Sequence, residues 1–176
     1  MRPGHDTCGV IRQVTAMSPG ARLPRHEGWS RANRLSTAPE LVGREIARIR
    51  RLHYVFRDEV NTRDGAIELT VSDGSVVMCD AAADWRLEFY GAAWVDPFRE
   101  PLNESDRAYL ELFGRWSAFD VTDQMPYSWL AGQKVHQAIP QLNDLLELAG
   151  LLIRTDAADL DLQLWADELR TFVRRE

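Results

Sequence analysis

The chain has 176 residues, 21 Lys and Arg against 27 Asp and Glu, a net charge of −6 and an apolar share of 45%. That length and composition suit one domain, or two small interlocked lobes, able to bury a core without disulfide staples. No run of about 18 apolar residues offers a membrane span, nothing near the start has signal-peptide form, and Cys8 and Cys79 read most simply as reduced thiols, so the expectation is a cytoplasmic protein with no membrane role.

Charge is unevenly spread. Residues 1–38 carry six Arg against Asp6 and Glu27, a balance of +4, and the rest of the chain carries 15 basic against 25 acidic side chains, a balance of −10. An acidic domain repels phosphate backbones, which argues against nucleic acid and for a basic protein as partner, unless the charge serves only solubility. Lys134 is the only lysine beside twenty arginines, a bias expected of a GC-rich bacterial coding sequence.

The first 38 residues combine Pro3-Gly4, Pro19-Gly20 and Pro24 with scattered Arg and Ser and hold no lasting apolar period. They read as a disordered basic extension, with a nucleic-acid-binding arm or an over-extended start of translation as the alternatives. The domain begins at Pro39-Glu40-Leu41-Val42-Gly43, a turn closed by glycine. Over 44–56, Ile46, Ile49, Leu52 and Phe56 fall at helical spacing, but the corresponding later segment contains Pro140, so the expectation is a strand with a bulge. Residues 57–64 read as a polar loop. Ile67, Leu69 and Val71 alternate with Glu68 and Thr70, Ser72-Asp73-Gly74-Ser75 turns the chain, and Val76, Val77 and Met78 return it. A second turn over 80–84 leads into a fourth strand over 85–89.

Four of the six Trp, four of the six Phe and three of the four Tyr lie between Trp85 and Trp129. Within this band, Asn103-Glu104-Ser105-Asp106 supplies an N-cap and early acids and Gly114 a stop, predicting a helix over 104–113 with Tyr109, Leu110, Leu112 and Phe113 on its apolar side. A strand follows over 115–121. Further strands are expected over 133–139, 150–155 and 160–164, separated by an apolar turn at 145–148 and by Ala157-Ala158-Asp159; residues 165–173 suit either a strand or a short closing helix.

Leu41-Val42-Gly43-Arg44-Glu45-Ile46-Ala47-Arg48-Ile49 returns as Leu130-Ala131-Gly132-Gln133-Lys134-Val135-His136-Gln137-Ala138, and 65–70 and 84–89 correspond loosely to 150–155 and 167–172. The chain therefore reads as an internal duplication. The expected fold is α+β, two related antiparallel β-meanders (about 39–98 and 126–176) packed together with one inserted helix in a connector over 99–125.

Catalytic chemistry finds no foothold in the spacing. The four His are His5, His26, His53 and His136, with no Gly-x-Ser-x-Gly elbow, Cys-x-x-Cys, His-Glu-x-x-His or phosphate loop, so no catalytic residue, cofactor or metal site is assigned. Cys79 reads as a small core residue. Asp80 with Asp84, and Asp156 with Asp159 and Asp161, read as turn makers before they read as cation ligands. Two readings compete for the aromatic band. Its rings fill the space between the repeats, or Trp94 and Phe98 anchor a partner inside an acidic rim of Asp96, Glu100, Glu104 and Asp106.

The set formed by Leu-x-Gly-x-x-Ile at Leu41, Asp73-Gly74 after an alternating strand, Trp94-x-Asp96-Pro97-Phe98 and the second copy at Trp129-Leu130-Ala131-Gly132 resembles small duplicated β-rich bacterial proteins of uncharacterised function. Some of these are regarded as immunity proteins that block a toxin made by the same cell. Repeat two departs from the pattern in having Ala157-Ala158-Asp159 where repeat one has Asp-Gly. The resemblance implies a non-enzymatic protein-binding role, concretely immunity to a basic toxin. The alternatives are a small-molecule module or minor enzyme with Trp85, Trp116 and Trp129 lining a pocket between the repeats, and a self-associating structural subunit.

Overall fold

The computed structural model describes residues 34–35, 40–82, 84–98 and 101–175, so most of the expected N-terminal extension, and Glu100 of the expected rim, lie outside the described residues. Ten strands and one α-helix follow along the described chain: β1 Ile46–Phe56, β2 Glu59–Asn61, β3 Ile67–Val71, β4 Val76–Ala81, β5 Leu87–Tyr90, α1 Glu104–Phe113, β6 Arg115–Asp120, β7 Gln137–Leu142, β8 Leu148–Arg154, β9 Asp159–Trp165 and β10 Glu168–Arg174. All strand pairs are antiparallel, in a six-stranded sheet ordered β2-β1-β3-β4-β5 with β6 also on β1, and a four-stranded sheet ordered β10-β9-β8-β7. Each sheet thus contains a four-strand meander, β1-β3-β4-β5 in one and β7-β8-β9-β10 in the other.

Local chemistry explains the elements. β1 is a strand despite its helical spacing, with an irregularity between Ile46 and Arg48. Beyond Phe56 it turns through Arg57 and Asp58, both at positive φ (49° and 66°), the left-handed pair that closes a two-residue hairpin in register with strand twist. The resulting β2 falls inside the expected polar loop; all three of its residues are exposed, so no apolar alternation announces it. Helix α1 has the expected bounds. Asn103 Oδ1 accepts the Asp106 amide at 2.8 Å, and Gly114, at φ 66°, donates its N–H to Leu110 O. β4 runs on to Ala81, taking in the first two residues of the expected turn, and the segment left between strand and helix is a strand, β10.

The two sheets pack through one main core. Ile49, Ile67, Leu69, Val77, Cys79 and Phe89 from the first meet Leu151, Ile153, Leu160, Leu162 and Leu169 from the second. Each such side chain contributes about 1.5–3 kcal/mol on burial. A smaller cluster of Leu52, Ala66, Met78 and Trp94 covers the outer face of the six-stranded sheet, which is why β3 is buried at four of its five positions and not at alternate ones.

The sheets are also joined through the backbone. Gly43 N donates to Val135 O and Gly132 N to Ile46 O, Ile46 N donates to Gln133 O and Val135 N to Arg44 O, and the turns Arg44 N to Leu41 O and Gln133 N to Leu130 O match at 3.1 Å each. Exchanging 41–46 with 130–135 leaves this bond set unchanged, with the Glu45–Lys134 bridge at the centre. Gly43 and Gly132 share positive φ, 85° and 73°, and Leu41, Leu130, Ile46 and Val135 are all fully buried. No helix among the described residues is long and apolar enough to cross a membrane, which says nothing of strands.

Candidate functional site

Trp94, Asp96, Phe98, Glu104 and Asp106 come together on the outer side of the six-stranded sheet, but the two aromatic rings are used in packing. Trp94 is 8% exposed and sits in the outer cluster. Its amide donates to Glu68 Oε2 at 2.7 Å, while Arg50 forks onto the same carboxylate through Nε at 2.7 Å and Nη2 at 2.5 Å and reaches Trp94 O at 3.3 Å. Arg50 and Glu68 are direct cross-strand neighbours, so β1 and β3 jointly present a buried, bidentate latch that holds the 91–98 loop down. Asp96 Oδ1 accepts the Phe98 amide at 2.8 Å, and its other oxygen lies 3.7 Å from Arg115. Phe98 stacks on Tyr109 at 5.5 Å and Tyr109 packs on Phe113 at 5.0 Å. Glu104 and Asp106 occupy the first turn of α1, where the helix dipole favours them. The helix buries none of its residues, and Leu112, expected on its apolar side, is 69% exposed.

A polar cluster between the sheets escaped the sequence reading. Arg51 points inward from β1, fully buried. It donates through Nη1 to Tyr127 Oη at 2.6 Å and through Nη2 to Gly65 O at 3.1 Å, while Nε finds no hydrogen-bond partner among the described residues. Tyr127 Oη meets Thr171 Oγ1 of β10 at 2.7 Å, Asp64 pairs with Arg170 at 3.1 Å, and His53 Nδ1 lies 3.4 Å from Asp64 O. Burial pulls the Arg51 guanidinium below its ordinary value, against the opposing pull of Tyr127 and Asp64. Burial and then the Arg51 charge hold the His53 imidazole below its usual range, which favours its neutral form. The arrangement ties one sheet to the other. Thr171 Oγ1 is bonded to a phenol and not to His53, so it forms no nucleophile–base pair there.

The remaining candidates disperse. Trp85 is exposed in a turn at φ 63°, Trp116 belongs to the outer cluster and Trp129 packs on the main core beneath Arg175, so the three line no common cavity. Cys79 is buried in the main core, and burial, with Asp80 second, pushes its thiol far up. Asp84 pairs with Arg86, Asp156 with His136 at 2.8 Å, and Asp161 accepts from Gln141 at 3.2 Å and Gln163 at 2.6 Å. Among the described residues no three His, Cys, Asp or Glu side chains converge in a way that suits a metal ion.

One surface stands apart in what it leaves uncovered. In a meander the β7–β8 and β9–β10 turns share one end of the sheet. The register confirms it here: Leu142 faces Leu148, continuing Gly150↔Gln163 sets Leu148 beside Trp165, and Trp165 faces Glu168. At this end Leu142, Leu145, Leu146 and Trp165 are 57%, 77%, 79% and 63% exposed. The β7–β8 tip is shaped by Asn143, whose Oδ1 accepts from Leu145 N at 3.0 Å and Glu147 N at 2.9 Å, and it holds Leu146 at φ 61°, a conformation a leucine rarely adopts. Asp144 and Glu147 lie on the first of these turns and Asp167 and Glu168 on the second, with Glu147 Oε2 accepting from Asn143 Nδ2 at 3.3 Å, and the sequence has no Lys or Arg between 136 and 153. Of the neighbouring cations, Arg86 pairs with Asp84, and Arg170 pairs with Asp64 while its guanidinium lies over one face of the Trp165 ring, 4.6 Å from the centroid. In the sequence this tip reads only as an apolar turn.

Comparison of the chain with protein-family models, with curated protein sequences and with solved structures finds no match in any of the three.

Proposed function

We propose that this is a non-enzymatic protein-binding protein whose partner is basic, immunity to a basic toxin being its most concrete form. The observation that carries the reading is the end of the four-stranded sheet, where four large apolar side chains stand exposed among carboxylates in a domain that is itself strongly acidic. Exposed apolar side chains gathered on one surface and bordered by charge are the usual mark of a protein contact, and the charge steers a basic partner towards it. The acidic rim of Asp96, Glu104 and Asp106 lies on another face and adds to the same field; its aromatic neighbours Trp94 and Phe98 act through the packing of the loop. The test is to purify the full chain from a GC-rich bacterial host at low and at high salt. A single stoichiometric basic protein retained at low salt and lost at high salt is the expected result, and a stoichiometric partner that is acidic or indifferent to salt overturns the reading.

We also infer that the two meanders descend from a duplication. The support is the bond set around Gly43 and Gly132, which is unchanged when the halves are exchanged, together with the common order of four strands that follows each copy.

A further inference from the structure

The end of the four-stranded sheet has a shape and a charge specific enough to name what it takes. We propose that the β7–β8 tip and the β9–β10 turn together form one docking surface for an amphipathic segment of a partner protein, with aliphatic or aromatic side chains on one side flanked by Lys or Arg. This rests on the basic-partner reading and adds where the contact is made and by what chemistry. Leu142, Leu145, Leu146 and Trp165 supply the apolar floor, which runs from β7 to β9, two strand spacings or about 10 Å, the width of one helix. Asp144 and Glu147 on one turn and Asp167 on the other bring carboxylates to the same end of the sheet as that floor, matching cations beside the apolar side of an incoming segment. Leu146 is held outward at positive φ by the Asn143 cap, so the floor is set before the partner arrives and little ordering cost remains.

The same charges disfavour the other occupants. Two copies of this end placed face to face set carboxylate against carboxylate, and an anionic bilayer is repelled in the same way. The test is NMR of the isotope-labelled full chain titrated with a helical peptide of leucine and lysine, alongside one of leucine and glutamate. The expected result is shift changes concentrated at 142–148 and 165–168 with the lysine peptide alone. Leu145→Ser with Leu146→Ser weakens binding about tenfold or more, and Asp144→Asn with Asp167→Asn lowers its salt dependence. Both pairs are exposed, and an unchanged melting temperature verifies that they still fold. Shifts centred on α1 and the 94–98 loop overturn this surface and leave the basic-partner reading standing. Absence of binding by the lysine peptide at low salt overturns both. Equal binding of the glutamate peptide overturns the charge match, dilution-dependent shifts without peptide assign the end to a second copy, and response only to phosphatidylcholine vesicles assigns it to a membrane.

Discussion

Arg50→Met isolates the latch under the aromatic loop. Glu68 has a side-chain exposure of 3% and Arg50 of 18%, and the fork between them joins Nε and Nη2 of the guanidinium to the two carboxylate oxygens. Removing the cation leaves a buried carboxylate with, among the described residues, only the Trp94 amide to solvate it, a change that costs about 3–5 kcal/mol when a buried pair is broken. Because Arg50 is partly in reach of water, the lower end of that range applies, about 3 kcal/mol out of a total of about 5–15 kcal/mol for a domain. Urea unfolding of the full chain, followed by circular dichroism, reads the loss as a lower midpoint at unchanged slope. Arg50→Met combined with Glu68→Leu removes charge and counter-charge together and recovers most of it, since an apolar replacement of such a pair is close to neutral. Limited proteolysis of the single variant cuts first within 91–98, where the loop has lost its tether. A loss below about 1 kcal/mol for the single variant refutes the reasoning, for the pair then behaves as an exposed ion pair that water already screens.

Gly65→Ala, at φ 126°, drives a Cβ to 1.9 Å from Leu52 O and prevents folding, whereas Gly43→Ala and Gly132→Ala, at positive φ with nothing within 4 Å, each cost about 1–2 kcal/mol and by nearly equal amounts, as midpoints in urea will show. Cys79, tested in a Cys8→Ser background, stays unlabelled by iodoacetamide in the native protein at pH 8 and reacts fully in denaturant; native-state labelling refutes the burial of its thiol. His53 in the folded state lies below its ordinary value of 6.5, so the unfolded chain takes up the proton first. Stability from this group is therefore full above about pH 6.5 and is lost as pH falls through the folded value, and His53→Asn flattens that part of the stability profile.

Where apolar residues alternate, the fold was legible. Ile67, Leu69 and Val71, and Leu160, Leu162 and Leu164, announce their strands, and Asn103 and Gly114 mark both ends of α1 because caps are local chemistry. β1 was legible only indirectly, through Pro140 in its counterpart. β2 was not, since its pairing comes from the left-handed turn at Arg57 and Asp58 and not from any apolar pattern. Of the expected site, the acids of α1 sit where their capping positions require. The role of Trp94 could not be read, because whether an aromatic ring in a loop faces solvent or a sheet depends on a latch formed by residues 26 and 44 positions away. Arg51 was hidden for a similar reason: an arginine at an inward position of a strand looks like a break in pattern until Tyr127 and Thr171 arrive from other elements.

The ladder between 43–46 and 132–135 joins segments roughly ninety residues apart, so it forms after the local hairpins on either side and makes folding slow for a chain of this size. On the ribosome the first meander waits for its closing partner with Leu41 and Ile46 uncovered. Because the two segments match each other, residues 41–46 of one chain equally match 130–135 of another, and refolding at high concentration is expected to yield domain-swapped dimers in which the same four inter-segment hydrogen bonds join two chains.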